Sequence, residues 1–305
     1  MKVHFASADE AKALLGSPNR FVSALSPFDR SARLGTDKPV DQDRFLAHVR
    51  ASVREWKAKD QAKVSAALRA LQAHLDGLKL PWPETVNFVA TDGSEEGGAA
   101  YTRLDAVVLP QPYLAQESEE GLRRSVAHEL FHVLARRNTD LRDALYGLLG
   151  FKACANVPFP EELAARRLTN PDAPESRHFV EVTVAGKAEK VVPVIYSRTQ
   201  RYDPKTKKPF FEYLDFRFME ITVAPDGGAC TPKQEKGRAV LVAPDKVSGF
   251  FEQVGKNSGY IIHPEEILAD NFAILLMETK GAPSPEVLER IGKVLAKYPA
   301  KASPK

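Results

Sequence analysis

Residues 264 to 277, PEEILADNFAILLM, constrain the fold more than any other stretch of the chain. Pro264 suits the first turn of a helix, and beyond it Ile267, Leu268, Phe272, Ile274, Leu275, Leu276 and Met277 leave almost no polar face. A helix this apolar belongs in a protein interior. Two acids travel into that interior with it, because Glu266 and Asp270 are four positions apart and share one face. A buried carboxylate without a cation or hydrogen-bond donors is strongly destabilising. Helix capping accounts for acids in the first turn, where the helix dipole favours negative charge, and so explains Glu265 comfortably. It does not explain Asp270, a turn further in among apolar residues. The surface that packs on this helix must therefore bring positive charge or donors.

Residues 125 to 134, SVAHELFHVL, offer both. On a helix His128 and His132 project from one side and can present two imidazoles to one metal ion, while Glu129, one step round, reaches a water at the same place. Leu122, Val126, Leu130, Val133 and Leu134 supply an apolar stripe for packing, with Leu130 about 200° from His128 at roughly 100° per residue. The competing reading is a solvated basic face, since Arg124, His128, His132 and Arg136 also form one four-step line. A zinc site of this kind needs a third protein ligand. VLARRNTDL, after His132, contains neither glycine nor histidine, which excludes an HExxHxxGxxH pattern. The apolar helix supplies the missing group: a metal for Glu266 and an imidazole N–H for Asp270 resolve both buried charges, completing a two-histidine, one-glutamate set for one zinc ion per chain.

HELFH followed by EILAD resembles the gluzincin metallopeptidases, the thermolysin-like group, and GYIIHPEEILADNFAILL is further similar to their anthrax-lethal-factor-like members. The resemblance rests on about thirty residues. It implies metal ligands His128, His132 and Glu266, a general base Glu129, a histidine-orienting Asp270, and a transition-state tyrosine at Tyr260. It also implies a zinc-dependent peptidase acting on peptide or protein substrates, with the strand YTRLDAVVLP as the sheet edge along which a peptide lies. The span from His132 to Glu266 is much longer than in the thermolysin type, and the β-rich region within it reads as an insertion over or beside the cleft.

Elsewhere, residues 1 to 38 read as a loosely structured lead-in with one short helix. Val40 to Leu78 read as two helices breaking near Lys59 and Asp60. Val86 to Val89 and Tyr101 to Leu109 suggest two strands, and Leu141 to Leu149 a short helix. The proline-rich stretch from Pro158 to Pro174 reads as a surface connection. Residues 179 to 184 alternate cleanly, and 191 to 196 and 210 to 223 are rich in β-branched and aromatic residues, so this region reads as a small antiparallel sheet. A strand at 239 to 243 and a helix near 246 to 254 follow, then the apolar helix, an amphipathic helix to about Lys297 and a disordered tail over 299 to 305. The expected class is α+β: a helical region over 1–80, a zincin-like sheet and HExxH helix over 81–150, an inserted β-rich region over 151–245, and a helical part over 246–298 carrying the third ligand.

The scattered, nearly balanced charge, net +3, argues against a nucleic-acid partner. No stretch reaches the roughly eighteen apolar residues of a membrane span, and no signal-peptide pattern opens the chain, so a cytoplasmic protein without membrane partners is expected. Cys154 and Cys230 read as free thiols. For the oxyanion donor Tyr260 ranks first and His263 second, each with a bland alternative, Tyr260 as a packed aromatic and His263 as the cap before Pro264. His178, Tyr196, Tyr202 and Tyr213 are further candidates. Against an active peptidase, an endopeptidase in preference to an exopeptidase, stands a zinc-binding protein without turnover. The retained Glu129 favours the enzyme, because metal binding alone does not require it.

Overall fold

The computed structural model describes residues 1–225 and 227–298. Its first half is built around a mixed sheet. The chain enters as β1 (Lys2–Phe5), α1 (Ala8–Leu15), α2 (Arg20–Ala24) and α3 (Pro27–Arg33), so the segment expected as a loose lead-in is ordered. Ser7 and Ser26 explain this locally, since each forms a reciprocal capping box with the acid three residues on, Glu10 and Asp29. Then follow α4 (Gln42–Ser52), β2 (Val53–Arg54) and α5 (Ala58–Leu78), the break falling ahead of the expected Lys59 and Asp60 because Val53 and Arg54 pair with the end of the next strand.

That strand, β3 (Thr85–Thr91), is flanked by parallel β1 and parallel β5 (Ala106–Pro110), and β4 (Tyr101–Arg103) closes the edge antiparallel to β5. The stretch YTRLDAVVL is thus a hairpin and not one strand. Leu104, at φ 54°, takes the left-handed turn conformation, and Pro110 ends β5 as its last residue instead of lying beyond it. Every residue of β5 is buried, because the sheet is covered on both faces. Val86, Phe88, Val107 and Leu109 face one core, whereas Val89, Tyr101, Ala106 and Val108 face a second formed with Phe21, Phe45 and Val49 from the N-terminal helices.

The larger core is filled by α5 together with α6 (Gln111–Gln116), α7 (Glu119–Arg137) and α8 (Thr139–Leu148). Ser118 starts α7 by accepting from the Gly121 N–H. After β6 (Lys152–Ala153) and α9 (Glu161–Ala164), an antiparallel sheet runs through β7 (His178–Val184), β8 (Lys187–Ser197) and β9 (Leu214–Val223). Short strands flank it: β10 (Cys230–Pro232), the pair β11 (Gln234–Glu235) and β12 (Arg238–Ala239), β13 (Leu241–Val242) and β14 (Val247–Ser248). The helix expected near 246 to 254 is reduced to α10 (Phe251–Val254), its first half being a single turn and β14. The chain ends in α11 (Pro264–Leu276) and α12 (Pro285–Leu295), and the expected tail lies outside the described residues.

The architecture is α+β. Among the described residues no helix is long and apolar enough to cross a membrane. Helix α11 lies against α7, with Phe272 and Phe131 in ring contact at 5.5 Å, and both helices contribute to the larger core. That packing sets the His128–His132 face of one helix against the Glu266–Asp270 face of the other.

Candidate metal centre

Position four apart on α7 and four apart on α11 translate into matched pairs. Glu266 Oε2 lies 3.1 Å from His128 Nε2 and 3.6 Å from His132 Nε2. Ligand atoms about 2.0–2.1 Å from a tetrahedral zinc lie about 3.3 Å apart, so Glu266 Oε2 stands at about that spacing from each imidazole nitrogen. The other ring nitrogens are anchored: His128 Nδ1 pairs with Asp270 Oδ1 at 3.2 Å and His132 Nδ1 with Glu265 Oε1 at 3.1 Å. Imidazoles held by carboxylates through Nδ1 present Nε2 outward, the usual arrangement behind metal-binding histidines. His132 is fully buried and His128 partly so, which rules out the solvated face.

Each carboxylate is supported in turn. Asp270 Oδ2 accepts from Ser258 Oγ at 2.6 Å, and Glu266 Oε1 from Asn170 Nδ2 at 2.6 Å. Glu265 also accepts the hydroxyl of buried Tyr146. Sequence reasoning gave Glu265 to the helix dipole; here it holds an imidazole. Its signal was available, since Glu265 and Glu266 both enter a buried helix and only one was assigned a partner. Nothing comparable marked Asn170, in a stretch read as a surface connection.

Glu129 is buried one helical step from the histidines, and His128, Glu129 and His132 each bring a ligand atom within 4.8 Å of the others. Its Oε2 accepts from Thr102 Oγ1 at 2.7 Å, a bond from the edge strand β4 that fixes the carboxylate's direction. Tyr260 is 43% exposed as a residue, yet its phenol is desolvated and near the carboxylates of Glu266, Asp172 and Glu129, which together push its pKa well up. It therefore remains a hydrogen-bond donor at any ordinary pH. His263 takes its bland role: it is the N-cap of α11, its Nδ1 accepting from the Glu265 N–H at 3.1 Å, and burial lowers its pKa to about 4.

The remaining candidates lie elsewhere. His178 packs edge-on to Tyr146, behind Glu265. Tyr196 bonds Asp215, and Tyr202 and Tyr213 make edge-on and tilted ring contacts with Phe28 in a separate cluster. Cys154 and Cys230 are free thiols in the small core of the antiparallel sheet.

The donor set fits a divalent cation. His132 Nε2 is a buried nitrogen with no hydrogen-bond partner among the described residues, and it faces Glu266. Burial opposes charge on both imidazoles, but Asp270 and Glu266 raise His128 to about 9, and Asp172 and Glu266 raise His132 well above its usual range. The surroundings thus demand positive charge between these side chains. Asp172 was not anticipated at all. One of its carboxylate oxygens lies within 4.8 Å of ligand atoms of His132 and Glu266. Burial pushes its carboxyl well above the usual range, with Glu129 and Glu266 adding to the rise and His132 opposing it. The stretch 158–174 is therefore more than the surface connection its prolines suggested. Comparison with protein families, curated proteins and solved structures finds no family model, relative or structural neighbour that matches the chain.

Proposed function

We propose that this chain is a zinc-dependent metallopeptidase with a zincin-like core, its ion held by His128, His132 and Glu266. The observation that carries the reading is the convergence of two Nε2 atoms on one carboxylate oxygen, with both Nδ1 atoms anchored on further carboxylates and Glu129 alongside. When bound, zinc supplies Lewis acidity and brings the pKa of water towards neutrality. Glu129 accepts the water's proton and later delivers it to the leaving amine. Thr102 keeps the Glu129 carboxylate in one orientation. Tyr260, held protonated, donates to the oxygen on which negative charge develops. Asp270 and Glu265 hold the two imidazoles in the tautomer that leaves Nε2 free.

Glu129→Gln tests this directly. Zinc content is expected to stay at one per chain while hydrolysis of a peptide mixture, followed by mass spectrometry, falls to background. Unchanged hydrolysis would remove Glu129 from the base role. One observation favours a second reading, a zinc protein without turnover: structural zinc centres have four protein ligands, and Asp172 stands close enough to be considered as a fourth.

A further inference from the structure

Residues 168–174 cross the free edge of the mixed sheet and are pinned along their length. The Leu168 N–H donates to Ile195 O and the Thr169 N–H to Asp29 Oδ1, while Thr169 O accepts from Arg33 Nη2 at 3.0 Å. Asn170 then reaches Glu266, and the Asp172 N–H turns back onto Asn170 Oδ1 at 3.0 Å. Asp172 O accepts from Arg136 Nη2 at 3.2 Å, and Asp172 Oδ1 accepts from the Thr102 N–H at 2.7 Å. That N–H belongs to the edge strand β4, so Asp172 occupies a backbone donor that an added strand would use.

Two cavities flank this segment. One, of about 440 Å³, is lined by Arg103, Arg136, Tyr146 and Glu265; the other, of about 50 Å³, by Ala99, Ala100, Phe210 and Tyr260. Pro171 and Asp172 form a wall of both.

We propose that Asp172 is a fourth protein ligand of the metal centre, so that the chain closes its own site, and that displacing residues 170–172 joins the two cavities into one groove for an extended peptide. The proposal rests on the zinc reading above. A catalytic zinc keeps one position for water or substrate, and a carboxylate already beside His132 and Glu266 competes for that position as an intramolecular ligand. An incoming group must displace it and break the bonds to Thr102, Arg136 and Asn170. Apparent affinity is then reduced by the fraction of molecules that are open. Thr102 ties the two states together, because its N–H holds Asp172 and its hydroxyl holds Glu129.

The test uses the full chain loaded with Co(II), whose visible absorption reports its ligands, titrated with acetohydroxamate. Asp172→Asn keeps the acceptor for the Thr102 N–H and removes the ligating charge. We expect it to retain the metal, to show an altered spectrum before titration, and to bind hydroxamate at least tenfold more tightly than the parent. Equal spectra and equal hydroxamate affinities in parent and variant overturn the proposal and leave the zinc reading standing. A parent that takes up neither cobalt nor zinc overturns both, and metal analysis alone separates that result from the former. Should Asp172→Asn fail to fold, Asn170→Ala frees the segment from Glu266 without touching Asp172. It is expected to tighten hydroxamate binding in the same direction, and no change would count against closure by this segment.

Discussion

Glu265 Oε1 lies 3.1 Å from His132 Nδ1, so adjacent glutamates on one helix serve the two nitrogens of a single imidazole, Glu265 behind it and Glu266 in front. Orienting carboxylates of this kind typically account for 10–100-fold in metal affinity. Glu265→Gln keeps the size and an acceptor while removing the charge, and Tyr146 retains a partner. Zinc affinity measured by chelator competition is expected to fall by about 10–100-fold, with the far-ultraviolet circular dichroism unchanged. A variant that binds zinc as the parent does would reduce Glu265 to a first-turn acid.

Thr102 and Glu129 give a second, independent prediction. Thr102→Val removes the hydroxyl that holds Glu129 Oε2 and alters neither the ligands nor the β4 backbone. The base keeps its charge and loses its direction. We expect kcat on a peptide substrate to drop about tenfold or more, within the range that positioned proton transfer contributes, with zinc content at parental level. A fall in zinc content would instead mean that Thr102 supports the metal site as a whole.

Periodicity made the helices of the centre legible, and charge made their pairing legible. An apolar helix carrying Glu266 and Asp270 and a two-histidine helix lacking a third ligand each leave an unmet need that the other meets, and neither argument required a structure. Elements that depend on tertiary pairing were not legible in this way. β1 is four residues long and mostly exposed, and it is a strand only because β3 lies beside it. The β4–β5 hairpin lacks glycine at Leu104, where a turn signal is normally sought. Asn170 and Asp172 sit in TNPDAP, which has the composition of a surface turn. They are half-buried, and the segment is anchored there by Arg33, Arg136 and Thr102, residues distant in sequence.

Arg33 anchors that same segment from the N-terminal side. Its guanidinium is buried between Asp29 and Glu96, with contacts of 2.5 Å to each, and it also donates to Thr169 O. Burial raises the Glu96 pKa even though the paired Arg33 guanidinium opposes the rise. Arg33→Met removes the guanidinium paired with both buried carboxylates and leaves them to the longer-range charges of Arg167, which acts on Asp29, and Arg103, which acts on Glu96. Breaking a buried pair in this way costs about 3–5 kcal/mol, so the urea midpoint should fall markedly at unchanged m-value. A loss below about 1 kcal/mol, the scale of exposed pairs, would show that water or rearrangement satisfies Asp29 and Glu96.

His178 makes stability depend on pH in a definite direction. Burial lowers its pKa from 6.5 to about 4, against the opposing pull of Asp143, whose Oδ1 lies 3.4 Å from Nε2. The unfolded chain therefore binds a proton at His178 between about pH 6.5 and 4 that the folded chain does not. Stability must fall as pH drops through 6.5 and stop falling on this account below about 4. The contribution is of order 1–3 kcal/mol, given 1.36 kcal/mol per pKa unit. His263 is depressed to the same value and acts in the same sense, whereas His128, raised to about 9, acts at higher pH. The difference between parent and His178→Phe isolates the one group. Denaturant midpoints at pH 7 and pH 4.5 should differ less in the variant than in the parent, because the phenyl ring keeps the packing on Tyr146 and takes up no proton. An equal pH dependence in both would mean that His178 titrates in the folded protein much as it does in the unfolded chain.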